Sequence, residues 1–216
     1  MRAEPSEKAG ARRGMRGLIT KRLFDMVFAT LGLVSLAPLF LLVAACIKLD
    51  SQGPVFFRQE RVGRFGKLFR IHKFRTMRLG AEKAGPLVTR AGDERITLVG
   101  RFLRRHKIDE LPQLIDVLNG KMSLVGARPE VPRYIEHYPP QAKALILALR
   151  PGITDPASIL YSREEELLAN SLDPEGDYIK KVLPEKLRYY EEYVQRRSLW
   201  RDVVLILRTL KAIVVS

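Results

Sequence analysis

The residues best suited to chemistry lie in the run RFLRRHKIDELPQL, where Arg104, Arg105, His106 and Lys107 stand just ahead of Asp109 and Glu110. A carboxylate at a helix start sits at the positive end of the dipole and stays ionised. The same position attracts phosphate. An ionised aspartate beside a phosphate site is what aspartyl-phosphate chemistry requires. A plainer reading is open on the same residues, with Asp109 capping a helix and Glu110 filling its first turn. Two further stretches invite phosphate. Gly126-Ala127-Arg128-Pro129 and Arg150-Pro151-Gly152-Ile153-Thr154 each join a turn-forming glycine to an arginine whose fork can grip phosphate through two N–H groups. Arg104, Arg128 and Arg150 are the expected phosphate ligands. His72, beside Lys73 and Arg75, reads as strand or surface decoration.

Composition narrows the classes. The chain of 216 residues carries 38 Lys+Arg against 24 Asp+Glu, a net charge of +14 that calls for a polyanionic partner. Its single cysteine, Cys46, excludes an intramolecular disulfide framework and a cysteine-based zinc site. His72, His106 and His137 are the only histidines and no two have metal-ligand spacing, which argues against a zinc hydrolase. GxGxxG and P-loop patterns are both absent.

The elements that must position these residues begin with a membrane segment. Residues 1–17 are small, polar and basic, and are expected to form a mobile tail. MVFATLGLVSLAPLFLLVAACI, from Met26 to Ile47, holds no charge and is long enough as a helix to reach across a bilayer core. A secretory signal is a poor fit because the run is too long and both flanks are basic. A lipoprotein signal at Leu42–Cys46 is disfavoured because Ile47 and Lys48 continue the helical pattern. Positive flanks favour the cytoplasm, and here both are positive: Arg16, Lys21 and Arg22 before, Arg58, Arg61, Arg64, Lys67 and Arg70 after. Pro38 supplies a mechanism for the chain to bend back, since it lacks a donor and clashes with the preceding turn. Spanning and re-entrant helices stay equally open on these grounds.

Beyond Gly53-Pro54 the pattern predicts a hairpin from PVFFRQERVG and GKLFRIHKF, a loop over 81–92 and a short basic helix over 96–105. A helix beginning near Asp109 and ending at Asn119-Gly120 follows, with later helix starts near Glu164, Pro184 and Ser198. The last segment, LWRDVVLILRTLKAIVVS, fits either an interfacial or a core helix. The expected organisation is therefore a tail at 1–17, a membrane helix kinked at Pro38 over 18–50, and a catalytic domain over 51–216.

The runs FFRQERVGRFGKLFRIHKFRTM, IDELPQLIDVLNGKMSLVGARPEVPRY and RPGIT together resemble the bacterial sugar transferases known as monotopic phosphoglycosyl transferases. With no added N-terminal domain in view, the chain resembles their small form. The resemblance implies an α+β, mainly helical fold: a re-entrant membrane helix with a compact cytoplasmic catalytic domain carrying a small β-hairpin and interfacial amphipathic helices. It implies transfer of a sugar 1-phosphate from a UDP-sugar to polyprenyl (undecaprenyl) phosphate with release of UMP, through a covalent phosphosugar on Asp109 of the Asp109-Glu110 dyad. Magnesium is the implied cofactor, held by Asp109 and Glu110, and Pro38 is the implied helix break. Membrane lipids are further partners, nucleic acid is not, and a homodimer is left open. The implied location is the cytoplasmic face of the bacterial inner membrane. Three departures stand out: Ala37-Pro38 where the family has Ser-Pro, Ala127-Arg128-Pro129 where it has Pro-Arg-Pro, and DPASI after Thr154 where a Gly-aromatic continuation is common. A rival class, a basic membrane-anchored scaffold for anionic lipid or nucleic acid, explains the charge but gives no reason for Asp109-Glu110 in an arginine-rich setting.

Overall fold

A computed structural model of the chain describes residues 5–81, 89, 92–160, 171 and 173–215, with the backbone alone described for 5–16 and 214–215. Helix α1 runs from Pro5–Ser35 and α2 from Ala37–Asp50. The stretch assigned to a mobile tail is thus helical from Pro5 on: a proline suits a first turn, and the helix simply continues into the apolar run. No single helix among the described residues is long and apolar enough to cross a membrane, but Gly17–Ser35 and Ala37–Asp50 form one apolar pair bent by 60°. The break falls at Leu36 (φ −90°, ψ 0°), two residues before Pro38, which itself sits in the first turn of α2. A proline disfavours helical backbone in the residue preceding it and clashes four residues back, so the bend develops upstream of the ring. Ser35 Oγ donates to the Gly32 carbonyl at 3.2 Å, supplying a local partner at the bend.

After α2 the expected hairpin is present: β1 (Phe56–Val62) pairs antiparallel with β2 (Leu68–Phe74), from Phe56 opposite Phe74 to Val62 opposite Leu68. Helix α3 (Leu98–Arg105) is capped by Thr97, whose hydroxyl accepts from Gly100 N at 3.0 Å. A 3-10 turn (Ile108–Glu110) leads into α4 (Gln113–Leu118). Strand β3 (Ser123–Val125) then pairs in parallel with β4 (Gly152–Thr154), with α5 (Pro132–Ile135) and α6 (Pro140–Leu147) between them. Among the described residues the elements that follow are helical: α7 (Pro156–Leu160), α8 (Pro174–Asp177), a π-helical turn over Tyr178–Val182, α9 (Leu183–Arg196) and α10 (Leu199–Val215). The helix starts expected near Pro184 and Ser198 are matched by α9 and α10. That near Glu164, and most of the 81–92 loop, lie outside the described residues. The fold is α+β and mainly helical, with two small two-stranded sheets among the described residues.

Three apolar clusters hold the body together. Ala29 of α1 packs with Phe69, Ile71, Leu114, Val117 and Met122. Gly32 allows that approach, because a Cβ there would lie 3.0 Å from a Leu114 methyl. Val43 and Ile47 of α2 pack with Phe74 and Leu103. The third cluster joins Tyr134 and Tyr138 to Tyr178, Leu183, Leu187 and Tyr190. The tyrosines of α9 are thus packing residues, Tyr190 being fully buried.

Polar contacts fasten both ends of the helix pair to this body. At the leading end, buried Asp25 accepts from Ser123 Oγ (2.8 Å), Leu124 N (3.2 Å) and Lys21 Nζ (2.7 Å). Lys21 also reaches Asp202 of α10 at 3.1 Å. Arg22 donates to the carbonyls of Val117 (2.6 Å) and Leu118 (3.0 Å), closing the end of α4. At the trailing end, Arg75 donates to the carbonyls of Ser51 (2.7 Å) and Gln52, and Asp50 accepts from Val99 N at 3.2 Å. Between these clamps the pair turns large apolar side chains outward, Val34 being 71% and Leu41 75% exposed.

Candidate active site

The dyad is set by a change of direction. Helix α3 ends at Arg105 with His106 as its C-cap, and Lys107 takes a left-handed conformation (φ 54°, ψ 19°) that folds Ile108–Glu110 into a single 3-10 turn. Asp109 therefore lies inside that turn, not at the cap of a helix, and α4 starts only after Pro112. This corrects the expectation of a carboxylate kept ionised by a helix dipole. Asp109 is 6% exposed, and burial pushes its carboxyl up while Lys73 pulls it down, with a net rise from the ordinary value.

Glu110 is held differently. Arg128 donates to it through both Nη groups, Nη1 to Oε2 at 3.1 Å and Nη2 to Oε1. Lys73 Nζ donates to Oε1 at 2.7 Å. Burial pushes the Glu110 carboxyl up, but Arg128 and Lys73 together outweigh it and keep it well below the usual carboxylate range. In return Glu110 raises Arg128 well above its ordinary value despite burial. Lys73 is lowered by burial, which Glu110 only partly offsets. Among the described residues no hydrogen bond or ion pair engages the Asp109 side chain. One carboxylate is gripped and its neighbour is not.

Arg128 is brought there by the parallel strand pair. Gly126 and Gly152, which read as two separate phosphate turns, meet instead: Gly152 N donates to Ala127 O at 2.9 Å and Gly126 N to Thr154 O at 3.1 Å. A Cβ on Gly152 would collide with the Gly126 backbone, so both positions need glycine for the strands to approach. Arg128 emerges just beyond this crossing. Asp155, fully buried at the start of α7, and Glu130 lie close enough to Arg128 to add to its charge stabilisation. Asp155 accepts from Ser158 N at 2.8 Å and from its hydroxyl. The DPASI departure thus builds the α7 start behind Arg128.

A broad groove of about 2020 Å³ runs past the dyad, and Asp109, Glu110, Lys73, Arg104, Arg128 and Lys186 line it. The structure so brings four of the five expected site residues together: Asp109, Glu110, Arg104 and Arg128. Arg150 is elsewhere, its Nε donating to the Gly120 carbonyl at 2.7 Å. Pro38 lies in the helix pair. Lys73 was missed, although strand alternation gave a signal: it shares the inward face of Phe69 and Ile71, an unusual place for a lysine. His72 is no decoration, since its backbone N and Nδ1 both bond to the fully buried Asp116, each at 2.8 Å. That clamp ties β2, which carries Lys73, to α4, which follows Glu110.

Among the described residues no group of three or more His, Cys, Asp or Glu side chains is placed to hold a metal. A magnesium ion needs less, since it keeps several waters and accepts one or two carboxylates plus phosphate oxygens. The unengaged Asp109 carboxylate, with Glu110 beside it, fits that requirement.

Known proteins bear on this arrangement. The bacterial sugar transferase family matches residues 16–216. The chain is 40% identical over 203 residues to a UDP-glucose:undecaprenyl-phosphate glucose-1-phosphate transferase of Caulobacter vibrioides, covering 92% of this chain and 71% of the relative. It is 34% identical over 195 residues to a UDP-N-acetylgalactosamine-undecaprenyl-phosphate N-acetylgalactosaminephosphotransferase of Aeromonas hydrophila, covering 89% of this chain and 43% of that protein. An exopolysaccharide production protein of Sinorhizobium fredii is 35% identical over 225 residues, with 97% and 92% covered. The chain spans less than half the length of the Aeromonas protein and of the glucose-1-phosphate transferase of Escherichia coli, of which it covers 39%. With a match over nearly its whole length and an acidic dyad in a cationic groove, the chain belongs to the bacterial sugar transferase family.

Proposed function

We propose that the chain is a phosphoglycosyl transferase that moves a sugar 1-phosphate from a UDP-sugar to polyprenyl (undecaprenyl) phosphate, releasing UMP. One observation carries this reading: Asp109 lies unengaged in a groove whose neighbouring cations are ordered around Glu110. An Asp109 oxygen attacks the sugar-bearing phosphorus, and the bond to the bridging oxygen breaks as UMP leaves with the electron pair. A phosphate oxygen of the polyprenyl acceptor then attacks the same phosphorus, and the acyl-phosphate bond breaks to restore the carboxylate. Burial favours this course, because a poorly solvated carboxylate is a stronger nucleophile than one paired with an arginine. Arg128, Lys73 and Arg104 neutralise and orient the phosphates, which is the main contribution a protein makes to phosphoryl transfer. Magnesium, held by Asp109 and Glu110, would supply further charge neutralisation on the diphosphate.

The helix pair is read as re-entrant, on the cytoplasmic face of the bacterial inner membrane. Both its ends are clamped to the same body, Asp25 and Arg22 at one and Asp50 and Arg75 at the other, and a crossing would separate them. The exposed Trp200, Leu207 and Leu210 of α10, with Arg201, Arg208 and Lys211, fit a helix lying in the interface. The decisive experiment incubates purified protein with polyprenyl phosphate and a panel of UDP-sugars and measures UMP. Release of at most one equivalent of UMP with the UDP-sugar alone, and of many equivalents once polyprenyl phosphate is added, supports the reading, and no release with any sugar refutes it. Cysteines placed near Gly17 and Ser51 should both be unreachable from the periplasm; opposite accessibility refutes the topology.

A further inference from the structure

Lys73 and Arg128 converge on Glu110 from two different elements, the C-terminal end of β2 and the chain just beyond β3. They offer it three N–H donors: two from the guanidinium fork and one from the ammonium. This is the geometry with which such groups receive a phosphate, whose oxygens have the spacing of a carboxylate's. Asp109, Glu110, Lys73 and Arg128 sum to zero charge, so the two cations are already neutralised before any substrate arrives. A diphosphate entering beside Asp109 adds negative charge to a buried, balanced set. It is accommodated by transferring the cations from the carboxylate to the phosphate. Arg128 can make that move without becoming an isolated charge, because Asp155 and Glu130 flank it independently of Glu110.

We propose that Lys73 and Arg128 are the phosphate-receiving pair of the groove, and that Glu110 occupies them as an internal anion until the diphosphate of the donor displaces it. This rests on the donor being a nucleoside diphosphate sugar. It gives Lys73 a direct contact with substrate, and it makes Glu110 a competitor of the donor in the resting enzyme. Removing the charge of Glu110 therefore strengthens binding of the ground-state diphosphate even as it damages turnover.

The test measures binding of UDP, inorganic pyrophosphate and uridine to the full chain in detergent micelles, in EDTA so that no metal contributes. Glu110→Gln should bind UDP and pyrophosphate about tenfold more tightly than wild type, the scale of one charge-assisted contact. Lys73→Met should bind both about tenfold more weakly, with uridine unaffected, and in the double variant the gain should be lost. Equal or weaker binding by folded Glu110→Gln overturns the proposal, as does unchanged binding by Lys73→Met. The second variant decides the matter if Glu110→Gln does not hold its fold. Should pyrophosphate follow this pattern while UDP fails to bind at all, the nucleotide reading falls and the pair stands.

Discussion

The helix pair and the dyad groove invert the usual distribution of a folded chain in opposite senses. Along α1 and α2 most large apolar residues face outward, Leu42 61% exposed beside Leu41 and Val34, while Ala29, Val43, Ile47 and the polar clamp Asp25 face the body. In the groove the charges face inward, with Asp109, Glu110, Lys73 and Arg128 packed together. Exposed apolar surface on this scale is stable only against lipid or a partner. Buried charge is stable only when balanced. Each inversion therefore marks a ligand, apolar in the first region and anionic in the second. The polar clamps at the ends of the helix pair hold the two regions in fixed relation.

The strongest way to break the groove's half of this contrast is Asp109→Asn. Turnover and the phosphosugar adduct, read by intact-protein mass spectrometry, should both fall to background, while an adduct surviving in the variant would place the nucleophile elsewhere. Stability should move the other way. Folding raises the Asp109 pKa through burial, so the folded state binds that proton more readily than the unfolded chain. Its contribution to stability falls as pH rises through the folded value, and above that value the whole cost is present. The variant should thus melt higher than wild type once the pH exceeds that folded value. Glu110 has the opposite sign: its folded pKa is depressed, its stabilisation is present above the unfolded value and is lost as pH falls through the folded one. Glu110→Gln should melt lower.

The helix pair's half is tested by separating clamp from surface. Asp25→Ala removes the buried carboxylate that Lys21, Ser123 and Leu124 share, leaving Lys21 with Asp202 alone, and should cost about 3 kcal/mol of unfolding free energy in micelles. Replacing Val34, Leu41 and Leu42 together with serine should leave that free energy nearly unchanged, yet shift the protein from vesicles toward the soluble fraction. Equal destabilisation by both would mean that the outward face is packed after all. Next in size is Arg128→Lys. A compact ammonium cannot reproduce the two-pronged grip that Arg128 gives Glu110 and would pass to the donor phosphate, and kcat/KM should fall about 100-fold, roughly 2.7 kcal/mol in the barrier.

Local signals carried much of this architecture. Alternating aromatic and β-branched residues between glycines marked the β1–β2 hairpin, and Pro184 and Ser198 marked the starts of α9 and α10. The acidic dyad stood out by type and neighbours. What stayed hidden depends on contacts distant in sequence. Lys73 meets Glu110 only because β2 lies against the 108–110 turn, and His72 meets Asp116 across 44 positions. Strands β3 and β4, three residues each, are too short for periodicity to register, so their glycines looked like two independent turns. The Asp109 helix cap failed for a different reason: the left-handed Lys107 has no sequence signature, and it turns the expected cap into a 3-10 segment.

Arg150 gives the smallest expected effect and sharpens where the groove ends. In sequence it sits beside Pro151 and Gly152 much as Arg128 sits beside Pro129 and Gly126, yet the two arginines serve different regions. Arg150 Nε donates to Gly120 O, and Arg22, from α1, donates to Val117 O and Leu118 O. The two arginines thus share the carbonyls at the end of α4, on the helix-pair side of the molecule. They are close enough that, after burial, Arg150 is the next cause lowering the Arg22 pKa. A lysine at 150 keeps the charge and one donor, so the loss is limited to an imperfect hydrogen bond of about 1 kcal/mol. Arg150→Lys should therefore lower the unfolding free energy by that amount and leave kcat/KM within about twofold of wild type, which corresponds to less than 1 kcal/mol in the barrier. A loss approaching that of Arg128→Lys, with KM for the UDP-sugar rising, would return Arg150 to the phosphate site and extend the groove across the end of α4. A fall in stability alone confines phosphate recognition to the side of the strand crossing where Arg128, Lys73 and Arg104 face the dyad.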